Sequence, residues 1–482
     1  MRVLQVCAEI FPLLKTGGLA DVAAALPLAL RTQGADVRVL LPGFAPILHG
    51  LEDASVVAEL RPPLGMHLAH GTRLLYGWLP ACQVHAYVID APAYFRREGG
   101  PYDDHGDNHL RFGLLGWVAA ALAQGMDGYW RPEVVHSHDW HAALAPAYLR
   151  AAEEAQHRRL AGTVYTVHNL AYQGMFAAHR FGELGLPGHF YAVQGLEFHG
   201  HVNFMKGGLV YANRITTVSP TYAREIQSPE QGVGLDGLLR SRAGELSGIL
   251  NGVDPEVWHP GHDVHLAAHF DADDLSGKAR CKAALQAELG LAAAPDVPLA
   301  CVVSRLAEQK GLHLVLQALP RFIAVGGQFA LLGSGEAWME SAFRQLAEAH
   351  PESVAVRIGY DEPFAHRLIA GSDVILVPSR YEPCGLTQLY GLQYGTLPLV
   401  RRVGGLADTV ADTRLETIDS DATGFVFDAF DADALVAGAR RALALFRRPA
   451  DWRQVQQRGM RQHWDWNGPA RQYLHLYRSL LH

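Results

Sequence analysis

Two basic residues in the C-terminal half of the chain have types and positions suited to binding phosphate, and one acidic residue is predicted to face a cleft. Arg305 and Lys310 lie on the turn "SRLAEQKG", directly after the apolar run "PLACVV". Two cations at a helix start could neutralise a diphosphate, although most Arg/Lys pairs are solvated surface charges. Glu382 lies in "SRYEPCGLTQLYG", where Pro383 prevents a strand from continuing and Gly385 begins a predicted helix with free N–H groups. This pattern predicts a site for a phosphorylated ligand.

A glycine-rich turn near the N-terminus has a related composition. In "KTGGLADV", Lys15 precedes a glycine pair and Asp21 follows it, between a predicted strand and a predicted helix. Glycines let a backbone approach a ligand closely, the helix start supplies N–H donors, and the lysine supplies positive charge. A tight turn with a solvated lysine is the alternative. The same five residues, Gly-Gly-Leu-Ala-Asp, recur at 404–408 in "RVGGLADTV", which predicts one strand–turn–helix arrangement used twice.

The sequence "HSHDWH" invites a metal interpretation, since it contains His136, His138, Asp139 and His141. A binuclear zinc hydrolase would need the acid one residue later, where Trp140 stands, so the spacing argues against that class. "GSGE" at 333–336 is only half of a dinucleotide fingerprint. Three Asp-x-Asp sequences are predicted in loops and helix starts: Asp271–Asp273, Asp419–Asp421 and Asp431–Asp433. We therefore expect no metal and no cofactor.

The segments around these motifs predict an α/β protein. Short apolar runs alternate with helix-length amphipathic segments over nearly all 482 residues, which is typical of parallel sheets wrapped by helices. Ligands of such sheets bind at the carboxyl ends of strands. Eight residues are predicted at such ends: His136, His168, Ser219, Arg305, Gly333, Tyr360, Glu382 and Gly404. We expect two Rossmann-like domains facing each other across a deep cleft, with a boundary near residues 242–250.

Composition excludes several other classes. Hydrophobic residues make up 49% of the chain and charged residues 19%, which is typical of a globular protein. The net charge of −8 gives no reason to expect nucleic-acid or membrane binding, and the longest apolar runs are shorter than a membrane span. The start "MRVLQVCAEIFP" reads as a first strand rather than a signal peptide. Five scattered cysteines without a CxxC indicate a reducing, cytoplasmic setting.

With these motifs in place, the chain resembles the bacterial glycogen synthases and plant starch synthases over nearly its whole length. The matching stretches include "AEIFPLLKTGGLADV", "HSHDWHAAL", "YTVHNLAYQG", "NRITTVSPTYAREI", "LNGVDPEVW", "SRLAEQKG", "VRIGYDE", "PSRYEPCGLTQLYGLQYGTLPLV" and "TGFVF". The resemblance implies a GT-B type glycosyltransferase fold. Residues 1–245 would form the N-terminal domain on the glucan acceptor side, residues 246–460 the nucleotide-sugar donor domain, and residues 461–482 a helix crossing back to the first domain.

The resemblance also implies an activity and a set of site residues. The chain would transfer glucose from ADP-glucose to the non-reducing 4-hydroxyl of glycogen or another α-1,4-glucan, with retention of configuration and without a metal. The implied catalytic residues are His168, Arg305, Lys310 and Glu382. The implied ADP-glucose contacts are Lys15, Gly18, Asp21, Asn251, Tyr360, Cys384, Gly385, Leu386 and Thr387, and the implied glucan contacts are Glu9 and Trp140. Tyr360 would stack on the adenine.

Two departures and two alternatives stay open at this point. Many retaining relatives carry a second glutamate where this chain has Tyr390, and often a tyrosine where it has Val233. A glucan phosphorylase-like enzyme would need lysine-bound pyridoxal phosphate and a longer chain. A non-catalytic glucan-binding protein would have no reason to keep Arg305, Lys310 and Glu382 at strand ends. From the residues alone, ADP-glucose and UDP-glucose stay open as alternative donors.

Overall fold

A computed structural model describes residues 1–63 and 71–481, which form two compact units. The first unit contains Met1–Gly252 together with the chain from Trp466 to the C-terminus, and the second contains Val253–Asp465. The divisions predicted at 245/246 and 460/461 lie a few residues earlier in the sequence. Both units are α/β with parallel sheets, so the predicted fold class is confirmed.

The described part of the first unit contains twelve strands. In chain order they are β1 (Arg2–Val6), β2 (Asp36–Pro42), β3 (Glu52–Glu59), β4 (Arg73–Leu79), β5 (Val84–Asp90), β6 (Val134–His138), β7 (Gly162–Val167), β8 (Met175–Ala177), β9 (Glu197–Phe198), β10 (His201–Asn203), β11 (Arg214–Thr217) and β12 (Leu246–Gly248). Nine form one sheet in the order β12-β11-β7-β6-β1-β2-β5-β4-β3. The other three form a small antiparallel sheet, β8-β10-β9.

The strand sequences explain this arrangement. The central strands of the large sheet pair in parallel and are covered on both faces, so every residue of a strand such as β7, "GTVYTV", is buried. Only the β5-β4-β3 end is antiparallel. The edge strand β3, "EDASVVAE", is polar and mostly exposed, which discourages further strand pairing.

Helices cover both faces of this sheet. They are α1 (Gly18–Thr32), α2 (Ala45–His49), α3 (Pro92–Phe95), α4 (Asn108–Gln124), α5 (Asp139–Ala142), α6 (Leu144–Gln156), α7 (Phe204–Tyr211), α8 (Pro220–Glu225) and α9 (Asp236–Ser241), with short 3-10 turns at Ala178–Leu184 and Gly188–Phe190. α4 is apolar around its whole circumference, "NHLRFGLLGWVAAALAQ", and is almost entirely buried, as expected of a central helix. It ends at Gly125, whose left-handed backbone is typical of a helix C-cap.

The second unit is a six-stranded parallel sheet with helices, in the order β15-β14-β13-β16-β17-β18. Its strands are β13 (Leu299–Val303), β14 (Gln328–Gly333), β15 (Val354–Ile358), β16 (Val374–Val377), β17 (Leu397–Arg401) and β18 (Phe425–Phe427). Its helices are α10 (Ser276–Leu289), α11 (Leu312–Ala324), α12 (Ala337–Ala349), α13 (Glu362–Gly371), α14 (Thr387–Gln393), α15 (Gly404–Thr409), α16 (Ala432–Phe446) and α17 (Pro449–Met460), with a 3-10 turn at Glu308–Lys310.

The last helix, α18 (Asn467–Arg478), belongs to the first unit. Its apolar side chains recur at helical spacing and bury one face: Trp466, Ala470, Tyr473, Leu474, Tyr477 and Leu480. That face packs in one cluster with Val3, Val134 and Val164, which lie on β1, β6 and β7. The C-terminal helix is therefore part of the core beneath the central strands. Among the helices of the described ranges, none has the length and hydropathy needed to cross a membrane.

Candidate active site

The strand order of each parallel sheet contains a switch point, at which the loops leaving two adjacent strands run in opposite directions. In the first unit, β1 leads to β2 on one side while β6 leads to β7 on the other, so the chain reverses direction across the sheet between β1 and β6. In the second unit the same reversal falls between β13 and β16. Crevices at such switch points, beyond the carboxyl ends of the strands, are the usual ligand sites of open α/β sheets. The predicted site residues follow these strands in both units.

The second unit brings Lys310 and Glu382 into direct contact at its switch point. Lys310 Nζ donates to both carboxylate oxygens of Glu382, at 2.9 and 2.7 Å, and Ser379 Oγ donates to one of them at 2.8 Å. Glu382 is only 6% exposed, so these charge-assisted hydrogen bonds compensate for its burial. The sequence indicated Lys310 and Glu382 but not Ser379, whose small side chain shortly after β16 is part of no motif.

Close backbone contacts hold this cluster in place. Gly311 has a φ of +72°, and a Cβ there would lie 2.1 Å from the Pro378 carbonyl oxygen. At Gly404, which has a φ of +44°, a Cβ would lie 1.8 Å from the Glu382 carbonyl oxygen, and at Gly405 it would lie 2.0 Å from that of Cys384. No side chain larger than hydrogen fits at such distances. The second Gly-Gly turn therefore supports the Glu382 loop.

The Gly-Gly turn of the first unit has different surroundings. Gly17 is the N-cap of α1, and a Cβ there would meet nothing within 4 Å among the described residues. Lys15 Nζ donates to Asp21 Oδ1 at 2.9 Å across this turn, and Lys15, Gly17 and Gly18 are exposed. Both copies of Gly-Gly-Leu-Ala-Asp begin a helix. Only the first presents its glycines to open space.

Arg305 lies beside Lys310 in sequence but differs from it in environment. The Arg305 side chain is exposed, and no ion pair joins it to any residue in ranges 1–63 and 71–481. Its loop is fixed by the "GSGE" turn, because Cβ atoms at Gly333 and Gly335 would lie 1.9 and 2.2 Å from the carbonyl oxygens of Ser304 and Leu306. These glycines therefore serve packing of the Arg305 loop. Arg305 is left as an available cation.

The remaining predicted residues of the second unit lie on neighbouring loops. The ring of Tyr360 is 71% exposed between β15 and α13, and its hydroxyl donates to Glu362. Cys384 is buried, Gly385 has a φ of +74°, and Leu386 and Thr387 lead into α14. The Gln388 amide donates to the carbonyl oxygens of Cys384 and Gly385, at 3.0 and 2.9 Å, which fixes the turn.

Tyr390, at the position of the absent second glutamate, is part of an aromatic stack. Its ring lies 3.8 Å from that of Trp258, centroid to centroid, at an interplanar angle of 7°. The ring of Trp258 also stacks on that of His366, with 3.7 Å between centroids and an interplanar angle of 13°. His366 Nδ1 lies 2.6 Å from Asp263 Oδ2. Tyr390 therefore contributes aromatic packing at this position.

Glu9 and Trp140, predicted on the glucan side, lie close together in the first unit. Glu9 is 2% exposed, and its carboxylate accepts hydrogen bonds from the Thr16 backbone and hydroxyl and from Tyr102 Oη. Burial raises the pKa of Glu9, while these hydrogen bonds oppose the rise. Trp140 is half-buried and contacts the rings of Phe112 and Tyr102. Glu9 thus fixes the turn that carries Lys15. Tyr102 also belongs to this cluster, and the sequence did not indicate it.

His168 follows β7, and Asp139 fixes its backbone. Asp139 has a φ of +55°, and its Oδ1 accepts from the backbone N–H of His168 at 2.7 Å and of Asn169 at 3.4 Å. Desolvation raises the pKa of Asp139 to about 7, against the lowering effect of these two bonds. Desolvation also lowers the pKa of His168 to about 3, so its imidazole is neutral near pH 7. His168 Nε2 lies 3.0 Å from His138 Nδ1.

The "HSHDWH" histidines point into the core. His136 is fully buried within β6 and not beyond its end, so its predicted strand-end position is wrong: its ring nitrogens lie 2.6 Å from Tyr477 Oη and from Thr166 Oγ1. His141 is also buried. Within the described ranges, no three His, Cys, Asp or Glu side chains come together in a way that could hold a metal ion.

Two further residues complete the comparison with the sequence predictions. Asn251 is buried at the end of the first unit, next to the point where the chain passes to the second. Val233 lies in a loop with a φ of +47°, its side chain is 49% exposed, and its carbonyl oxygen accepts from the Gln173 amide at 3.0 Å. The Gln173 bond anchors the loop that sequence reasoning left open.

Comparisons with known proteins agree with this architecture. The profile of the starch synthase catalytic domain matches residues 2–241, and that of the group 1 glycosyl transferases matches residues 290–458. The chain is 70% identical to a glycogen synthase of Leptothrix cholodnii, covering 100% of both chains. It is 59% identical to a glycogen synthase of Variovorax paradoxus, covering 100% of this chain and 99% of the relative.

Solved structures show the same likeness. The catalytic domain of starch synthase IV from Arabidopsis thaliana, bound to ADP and acarbose, matches with a TM-score of 0.88 and 32% identity over 99% of both chains. A sucrose-phosphate synthase from Thermosynechococcus elongatus matches with a TM-score of 0.58 and 16% identity, over 99% of this chain and 98% of that one, which shows the fold alone.

Two Rossmann-like units with charged residues at their switch points define a GT-B type glycosyltransferase. The chain belongs to the glycogen synthase and starch synthase family.

The raised pKa of Asp139 predicts a specific pH dependence of stability. Folded Asp139 keeps its proton up to about pH 7, whereas the unfolded chain loses it near 3.8. Its contribution to stability therefore falls as pH rises through that window. Asp139→Asn keeps an oxygen acceptor but cannot ionise, so its stability relative to wild type should rise between about pH 4 and pH 8. The expected gain by pH 8 is about 4 kcal/mol, since the pKa is raised by about three units and one unit corresponds to about 1.4 kcal/mol.

The measurement is urea unfolding of both proteins across this pH range. The buried histidines titrate in both proteins, so their contribution cancels in the difference. Parallel stability curves for wild type and Asp139→Asn would contradict the assignment of a raised pKa to this carboxyl.

Proposed function

We propose that this chain transfers glucose from ADP-glucose to the non-reducing 4-hydroxyl of an α-1,4-glucan such as glycogen, with retention of anomeric configuration. The observation that carries the proposal is the 70% identity to a glycogen synthase over both full chains. The solved starch synthase IV domain, bound to ADP and acarbose, supports a nucleoside diphosphate as the donor's leaving group. The charged groups of the second unit have the chemistry to receive it.

Four residues are proposed to act at the reacting centre. Arg305 and Lys310 would neutralise the negative charge that grows on the departing diphosphate, which is where fixed positive groups contribute most to rate. Glu382 and His168 would hold the transferred glucosyl unit. Because Lys310 is paired with Glu382 in this structure, a single contact links the group that meets the phosphates to the group that meets the sugar.

Further contacts with the donor are proposed from the loops around these residues. Tyr360 offers an exposed ring for stacking on the adenine. The other proposed ADP-glucose contacts are Lys15, Gly18, Asp21, Asn251, Cys384, Gly385, Leu386 and Thr387. Glu9 and Trp140 remain the proposed residues on the glucan side, with Glu9 acting through the turn that it holds.

A cytoplasmic location is also proposed. All five cysteines lie within the described ranges, are buried and form no disulfide bond there, and this fits a reducing compartment.

The direct test is transfer of radiolabelled glucose to glycogen from ADP-glucose and, separately, from UDP-glucose. Label incorporated as α-1,4-linked glucose, with release of ADP, is the expected result. Incorporation from UDP-glucose alone would overturn the choice of donor. Phosphate-dependent release of glucose 1-phosphate would instead indicate a phosphorylase-like enzyme, and glucan binding without nucleotide release would indicate a non-catalytic protein.

Removing either proposed phosphate-binding cation should reduce kcat far more than it alters glucan binding. For Arg305→Ala and Lys310→Ala the expected loss is about 10²–10³-fold, the size found for one transition-state donor. Lys310→Ala also leaves the buried Glu382 carboxylate without its cation, so Arg305→Ala is the cleaner variant. Steady-state kinetics at saturating glycogen measures the loss.

Arg380→Ala is the matched control for these variants. Arg380 is an exposed arginine near the same turn, paired with Glu308 at 2.8 Å, and it has no proposed role in catalysis. Its loss should leave kcat unchanged. Equal kcat values for Arg305→Ala, Lys310→Ala and wild type would remove both cations from the reacting centre.

Transfer should need no divalent metal. Arg305, Lys310 and Lys15 supply fixed positive charge, whereas metal-dependent transferases recruit a cation through paired carboxylates at a strand end. Two of the three Asp-x-Asp sequences serve other purposes: Asp271 Oδ1 accepts from the backbone N–H of Asp273 at 2.9 Å, and Asp431 caps α16 after the edge strand. We expect full activity in excess EDTA. Activity that EDTA abolishes and one metal restores would contradict this prediction.

A further inference from the structure

A continuous chain of hydrogen bonds runs through the core of the first unit and ends at His168. Its seven members lie on the central strands, on α18 and directly after β7; in order they are Thr216, Thr166, His136, Tyr477, Gln5, His138 and His168. The successive donor–acceptor distances are 2.5, 2.6, 2.6, 3.1, 2.6 and 3.0 Å. All members except His168 are at most 1% exposed, so water does not substitute for any link.

Every member of this chain can both donate and accept a hydrogen bond. Burial lowers the pKa values of His136 and His138 well below the usual range and raises that of Tyr477 well above it. The three groups are therefore neutral near pH 7. A neutral imidazole donates through one nitrogen and accepts through the other, so fixing one of its two links fixes the other.

The Gln5 amide selects the direction. Its Nε2 donates to Tyr477 Oη at 3.1 Å, and its Oε1 lies 2.6 Å from His138 Nε2. An amide oxygen can only accept, so His138 carries its proton on Nε2 and its Nδ1 is a lone pair. His138 Nδ1 can then only accept from His168 Nε2, at 3.0 Å.

We propose that Gln5 and His138 are positioning residues that hold His168 as the Nε2–H tautomer, leaving its Nδ1 as a hydrogen-bond acceptor for the substrate. No described residue makes a hydrogen bond to His168 Nδ1. Every other ring nitrogen of His136, His138 and His168 makes a hydrogen bond to another member of this hydrogen-bond chain. The role in transfer rests on the proposed function, because a hydroxyl of the glucosyl unit is the donor that this lone pair would meet.

In other catalytic histidines, too, a neighbouring residue makes a hydrogen bond to the second ring nitrogen. Such a neighbour sets the tautomer and the ring orientation without touching the substrate. Where the histidine binds a metal, loss of such a neighbour commonly reduces metal affinity or activity about 10–100-fold. Here the neighbour is itself a histidine, so its own tautomer must be set by a further residue, Gln5. Tyr477 then orients Gln5, which connects the last helix of the chain to His168.

The tautomer can be measured without any assay of transfer. In protein labelled with ¹⁵N at the histidine rings, two-bond ¹H–¹⁵N correlation spectra distinguish a protonated ring nitrogen from a lone pair. His138→Gln and His168→Gln identify the two rings. We expect both to be neutral and protonated on Nε2 from about pH 6 to pH 8. Protonation of His168 on Nδ1, or an average of both tautomers, would overturn the proposal.

Kinetics tests whether the tautomer matters. Gln5→Met keeps the side-chain length and removes both hydrogen-bonding groups, so kcat should fall about 10–100-fold while KM for ADP-glucose stays within about threefold. Gln5→Glu keeps an acceptor oxygen toward His138 and should recover part of the loss. Tyr477→Phe removes the group that orients Gln5 and should also lower kcat. Wild-type kcat in both Gln5→Met and Tyr477→Phe would overturn the role.

Tyr148→Phe is the matched control for Tyr477→Phe. Tyr148 is a buried tyrosine of the same unit whose hydroxyl donates to the Leu184 carbonyl at 2.6 Å, outside the chain of seven. It loses a comparable buried hydrogen bond, so its melting temperature should fall by a similar amount while its kcat stays at the wild-type value. A fall in kcat equal to that of Tyr477→Phe would assign both effects to lost stability.

A double-mutant cycle separates positioning from general structural support. If Gln5 acts only through His168, then Gln5→Met should have no further effect on kcat in a His168→Ala background. Equal losses in both backgrounds would overturn the proposal. A wild-type protein that transfers no glucose would refute the proposed function instead, and the tautomer would still be decided by the spectra.

Discussion

Direct contact between backbones at glycine positions is the constraint on which the candidate site of the second unit depends. Loops leaving β13, β14, β16 and β17 approach each other so closely that a Cβ at Gly311, Gly333, Gly335 or Gly404 would overlap a carbonyl oxygen. Only with these loops in contact can Lys310 reach Glu382, which is 72 residues away in sequence. The buried carboxylate then has the partners that its desolvation requires.

The first unit solves a related problem with side chains. Its central strands bury one imidazole and two hydroxyls side by side, those of His136, Thr166 and Thr216. Parallel sheets usually carry apolar residues at such positions. Each such group needs a partner, and the chain of hydrogen bonds supplies one for every member before it reaches the surface at His168. Packing of α18 against β1, β6 and β7 is part of this solution, since Tyr477 closes the gap between Gln5 and His136.

The repeated Gly-Gly-Leu-Ala-Asp sequence separates local from tertiary information. In both copies the glycines begin a helix, and this much was predictable because turn and helix preferences act over a few residues. The environments are opposite, however. Gly17 faces open space among the described residues, whereas Gly405 is pressed against Cys384. Nothing within the five residues distinguishes these outcomes, because the loop that Gly405 contacts comes from a different strand.

The sequence by itself determined the α/β class and the turns that carry Arg305, Lys310, Glu382 and His168. Apolar runs ending in glycine or polar residues are local patterns, and hydrophobic periodicity encodes them directly. Only the tertiary structure decided that Lys310 pairs with Glu382, that Tyr390 stacks on Trp258, and that His136 is buried instead of lying at a strand end. These outcomes depend on which strands become neighbours. Burial of the whole sheet fixes the strand order. Contacts between distant parts of the chain then follow, such as the hydrogen bond from Gln5 to Tyr477 across 472 residues.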